Sequence, residues 1–132
     1  MSIGSLLEEI DKDKATIEEL YSFLVSGYVN KDSFTQILGK CFGLVDNIRS
    51  NYIKIDDIKS KIKIDLGDYT IDYATAERLK DSALRKIELL SALIKNSSGE
   101  INILEVIEMR DDLYSEYLLL KSLLEKAYWS DA

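Results

Sequence analysis

Apolar residues recur along most of this chain at alternating spacings of four and three, the period that sets them in one stripe along an α-helix. The first stripe runs Ile3, Leu7, Ile10, Ile17, Tyr21, Leu24 and Tyr28, interrupted where Lys14 takes a seam position. Leu6 and Leu20 widen it beyond a strict two-stranded coiled-coil seam, which suits a helix of a bundle. It predicts a helix from about Ser5, or slightly earlier, to about Val25, ended by Gly27 and Asn30, both tolerant of the left-handed conformation. A second stripe, Phe34, Leu38, Cys41, Val45, Ile48 and Tyr52, predicts a second helix capped by Asn30 or Asp32. Within it Gly39 and Gly43 stand four apart on one face, where the missing side chains would let another helix approach closely.

The period changes after Tyr52. Lys61-Ile62-Lys63-Ile64-Asp65-Leu66 alternates polar and apolar, and Tyr69-Thr70-Ile71-Asp72-Tyr73 continues with β-branched and aromatic residues after a Leu-Gly-Asp turn. This predicts a short β-hairpin at about 61–72, with residues 53–60 open between helix extension and loop. An isolated hairpin is marginal in water, so Ile62, Ile64, Leu66 and Ile71 must pack on helices or extend a sheet with another chain. A third helix follows from about Tyr73 to Lys95, with Asp72 as cap and Ala76, Leu79, Ala83, Ile87, Leu90 and Ile94 inward; Asn96-Ser97-Ser98-Gly99 ends it. A fourth, about Ile103–Tyr128, carries Ile103, Val106, Leu113, Tyr117, Leu120, Leu124 and Ala127, with Arg110 interrupting its seam as Lys14 does the first. Short connections make neighbouring helices antiparallel. The expectation is a mainly α protein, four long helices in antiparallel hairpins with one short β-hairpin between helices 2 and 3, in a single helical domain over residues 1–132.

Composition agrees with this pattern. Proline is absent and glycine occurs six times, so little interrupts long helices, and a 46% hydrophobic content is that of a folded chain. The net charge of −7 argues against binding a nucleic-acid polymer or an anionic membrane, which clustered cations drive. By segment the charge is −4 over 1–28, zero over 29–72, +2 over 73–99 and −5 over 100–132, so the third helix is the one basic stretch. A lone cysteine, Cys41, forms no internal disulfide and fits a reducing compartment, the cytoplasm by default. The first residues lack the basic and apolar regions of a secretion signal, and no run of about 18 apolar residues predicts a transmembrane segment.

Chemistry is constrained chiefly by one absence. Without any histidine, Ser–His and Cys–His nucleophilic sites and His-ligated zinc are excluded. Cys41 lies on the second seam and reads as a small buried hydrophobe. Glu105, Glu108 and Asp112 share a helical face and read as solvated, while Asp65, Asp68 and Asp72 match no calcium-loop spacing and read as turn and cap residues. No catalytic residue, metal ligand or cofactor is expected, and the chain reads as a non-enzyme.

The segment from Asp65 through Gly67-Asp68-Tyr69-Thr70-Ile71-Asp72-Tyr73-Ala74-Thr75-Ala76 to Leu79, taken with Ala127-Tyr128-Trp129-Ser130-Asp131, resembles the septicolysin-like family of small helical bacterial proteins. The similarity spans roughly residues 44–131, with Gly-Asp here in place of that family's Asp-Gly turn, and Ile48-Arg49-Ser50-Asn51 where it has an asparagine-rich stretch. The resemblance implies helical hairpins around a small β-element that assemble into oligomers; its name implies cytolysis.

Two surfaces are candidates for recognition. Arg78, Lys80, Arg85 and Lys86 on the third helix, beside Lys61, Lys63, Tyr69 and Tyr73 of the hairpin, offer cations for a phosphate and rings for a base; equally, they could meet the acidic helices of the same assembly. Tyr128 and Trp129 follow the last seam and are expected to dock, on a neighbouring subunit or on this chain. The leading expectation is a non-enzymatic homo-oligomer that works by self-assembly or partner binding. The alternative is a phage- or host-encoded protein that sequesters a small phosphorylated ligand, a nucleotide, at subunit junctions.

Overall fold

The computed structural model describes residues 1–27, 29–96, 99 and 102–131; Tyr28 of the first stripe and Ser97-Ser98 of the inter-helix turn lie outside them. Four helices and one hairpin follow in the order α1 (Ile3–Val25), α2 (Lys31–Lys61), β1 (Lys63–Asp65), β2 (Thr70–Asp72), α3 (Tyr73–Lys95) and α4 (Ile103–Trp129). The chain is mainly α, and the open stretch 53–60 is helical, so α2 runs without a break to the hairpin.

Each boundary has a local cause. Ser2 caps α1 through a capping box: its hydroxyl accepts from Ser5 N, and Ser5 Oγ accepts from Ser2 N, each at 3.0 Å. This places the helix start at Ile3, the first residue of the apolar stripe and two residues ahead of Ser5. Gly27, at φ 80°, provides the left-handed turn after α1. Asn30 Oδ1 accepts from Ser33 N at 2.9 Å and opens α2. Asp72 Oδ1 accepts from Thr75 N at 2.7 Å and opens α3 directly from β2.

The hairpin pairs Lys63 with Asp72, Ile64 with Ile71 and Asp65 with Thr70, antiparallel. Its turn is Gly67-Asp68 with positive φ at the glycine (95°) and, among the described residues, at no non-glycine. That is the pattern of a type II′ turn, whereas the Asp-Gly order suits type I′. The hairpin lies on α3, and Ile64 is buried with Ile62, Leu66 and Ile71 half-covered.

The folded residues group into two compact units: Met1–Lys59 with the residues from Trp129 on, and Ser60–Tyr128. The first contains α1 and most of α2, and buries Ile3, Leu6 and Ile10 on α1 and Cys41, Asn51, Ile55 and Ile58 on α2. The second contains the β-hairpin, α3 and α4 up to Tyr128, and buries Ile64, Tyr73, Ala76, Ala83, Leu120 and Leu124. In both, most burial sits at the end of the helical hairpin away from its turn. Towards the turn of the first unit, Tyr21, Phe23, Val25, Phe34 and Phe42 are exposed, and towards that of the second, Leu89, Leu93, Leu104 and Met109.

Candidate interaction site

The hairpin–α3 junction gathers several of the residues singled out from the sequence. Asp65 Oδ1 accepts from Gly67 N at 2.8 Å, so it shapes the turn. Asp72 is the helix cap, and the hydrogen bond from Thr75 holds its carboxyl below the usual carboxylate range, with Lys63 and Arg78 acting in the same direction. The sign follows directly: the folded chain releases this proton more readily than the unfolded one. The cap therefore contributes fully above the ordinary carboxylate range and is lost as pH falls through the lowered value. Asp72→Asn, which still accepts through its side-chain oxygen, should have a melting temperature less sensitive to acid than the parent when both are melted across that range.

Arg78 is exposed and its Nη2 donates to Thr75 Oγ1 at 3.3 Å, so one candidate cation stands beside the cap. Arg85 and Lys86 are exposed further along α3, with Arg85 on the face of Arg78 about 10 Å away. Tyr69 is exposed at the hairpin tip, but Tyr73 is buried and belongs to the core. Burial pushes the Tyr73 phenol up to about 12, helped by Glu77 and Tyr128. Tyr73 and Tyr128 are thus close, and Tyr128 is half-covered while Trp129 stays exposed. Of the seven candidates, the structure brings together Tyr73, Tyr128 and the region of Arg78; Tyr69, Arg85, Lys86 and Trp129 stand on open surface.

Other groupings did not follow from the sequence pattern. Arg110, the interruption of the fourth seam, lines a shallow groove of about 320 Å³ with Ile87, Ser91, Asp111 and Tyr114. Its Nε lies 3.7 Å from Asp111 Oδ1, and Tyr114 packs near Tyr117 at 6.3 Å between ring centroids. Lys14, the interruption of the first seam, donates from Nζ to Tyr52 Oη at 3.0 Å, which holds its ammonium above the ordinary lysine range. In both cases the visible signal was a cation in an apolar register with a tyrosine available, on the same helix or the next. Asn51 is buried, and its Nδ2, like Asp13 Oδ2, is without a hydrogen-bond partner. The three-residue spacing of Asn51 from Ile48 and its place four before Ile55 were the missed cue, since both neighbours lie on the inner face.

Cys41 is fully covered, as a small apolar seam residue would be. Among the described residues no group of three or more acidic or cysteine side chains is placed to hold a metal ion, and no helix is long and apolar enough to cross a membrane. What the surface does offer is apolar area on helix faces. Besides the turn-end residues, Ile53 is 65% exposed, and Tyr114, Leu118 and Leu119 are about half exposed. Comparison with protein-family models, with curated proteins and with solved structures returns no match for this chain.

Proposed function

We propose that this protein is a non-enzymatic helical building block that works by self-assembly or by binding a protein partner. One observation carries the reading: large apolar side chains stand exposed on the described helices, from Tyr21, Phe23 and Val25 on α1 to Leu104 and Met109 on α4. Single exposed leucines are ordinary in monomers, but exposed aromatic and aliphatic side chains in this number suit a surface that associates. The resemblance to septicolysin-like proteins points the same way, and the acidic net charge keeps such a surface in solution. A reducing, cytoplasmic setting suits the single thiol of Cys41.

The nucleotide-sequestering alternative has less support, because the buried Tyr73 presents no ring face to stack on a base. Size-exclusion chromatography with light scattering tests the assembly reading. Well above micromolar concentration the protein should run heavier than its 15.0 kDa chain, and a monomer mass at every concentration in the absence of any partner would count against it.

A further inference from the structure

Along α2 one exposed face is laid out so that it complements itself when turned end for end. Phe42 (60% exposed) and Ile53 (65% exposed) are eleven positions apart, within about 20° of one another around the helix and about 16 Å along it. Between them on the same face stand Asp46 and Arg49, whose side chains are 77% and 72% exposed and only 4.0 Å apart at their nearest atoms. Gly39 stands beside Phe42, about 60° around the helix, and a Cβ built there would meet nothing within 4 Å. The face is therefore smooth beside its largest side chain, and the packing of the described residues leaves it uncovered.

We propose that this face is the contact between two copies of the chain, α2 lying antiparallel to the α2 of a second copy about a two-fold axis that passes midway between Asp46 and Arg49. The proposal deepens the assembly reading and rests on it. In that register Phe42 meets Ile53 of the other copy and Asp46 meets Arg49, each pair occurring twice, as an isologous interface requires. A second copy fits because both the apolar and the ionic positions are mirrored about one point; an unrelated partner would need only one half of that arrangement. The contact covers about 26 Å of helix, which places it near the lower bound of roughly 1,000 Å² for specific association and implies a dissociation constant of micromolar order.

The pairing makes a demanding prediction. Asp46→Arg alone sets two cations together twice at the axis, and Arg49→Asp alone sets two carboxylates together twice. Each variant should dimerise at least tenfold more weakly than the parent. Mixed in equal amounts they should form a heterodimer, since one chain then carries two cations and the other two carboxylates. Phe42→Glu should abolish association outright. Sedimentation velocity reads all four, with circular dichroism melts confirming that each variant folds, as exposed positions allow. Recovery of dimer on mixing supports the proposal. Unchanged association in the single variants, or no recovery on mixing, overturns it while leaving assembly through another surface standing; a parent chain that is monomeric at every concentration overturns both.

Discussion

Replacing Ile10 by alanine is expected to cost about 2–5 kcal/mol of unfolding free energy, a large part of the ~5–15 kcal/mol available to an ordinary domain. Ile10 is fully covered, and with Ile3 and Leu6 it forms the buried stretch of α1. Removing three carbon atoms there loses both their transfer free energy and the contacts of the cavity wall. Phe23 on the same helix is 53% exposed, and its alanine variant should cost less than about 1 kcal/mol despite deleting a larger side chain. Urea titrations followed by circular dichroism compare the two directly. Equal losses would mean that α1 is buried evenly along its length, contrary to the structure.

Tyr73→Ala is the second large effect, expected at about 3–5 kcal/mol because a nearly covered aromatic ring is removed from the first position of α3, next to the Asp72 cap. Tyr73→Phe retains the ring and isolates the hydroxyl. That phenol titrates at 10.0 when unperturbed and at about 12 in the folded chain, burial being the main cause. The unfolded chain therefore ionises first as pH rises, and the phenol's contribution is complete below about 10 and lost on the way to about 12. Thermal melts across that window should fall more steeply for the parent than for Tyr73→Phe. Parallel curves would show that the hydroxyl is solvated.

The helices were legible in the sequence because their apolar period is long and regular, and burial followed it: Ile3, Ile10, Cys41, Ala76, Ala83, Leu120 and Leu124 are all inward positions of the stripes. The hairpin was legible because alternation at Ile62, Ile64 and Leu66 breaks the helical period, and because Gly67 and Asp72 are residues that a turn and a cap need. Harder to foresee was which parts of each stripe would be covered. Periodicity states that Tyr21, Phe34 and Tyr52 share a face with Cys41 or Ile10, but not how far a hairpin stays packed along its length. The β-hairpin contacts α3, one of the two placements its apolar face allowed; Tyr69 and Trp129 stay exposed, and further exposed apolar area lies on the helices themselves.

The candidate site was less legible than the fold for a related reason. Arg78, Arg85 and Lys86 are evident as charges, but a linear sequence gives no measure of whether a neighbouring tyrosine offers its ring face, and Tyr73 does not. Lys14 and Arg110 appeared as flaws in their seams; the structure gives each a polar neighbour, Tyr52 for one and Asp111 for the other. Polar residues inside an apolar stripe tend to fix register rather than add stability.

Sedimentation equilibrium of the unmodified protein over a concentration series spanning the micromolar range tests self-assembly most directly. The weight-average mass should rise with concentration from near 15.0 kDa toward an integral multiple of it. A mass that stays at the single-chain value across the whole series would contradict the account.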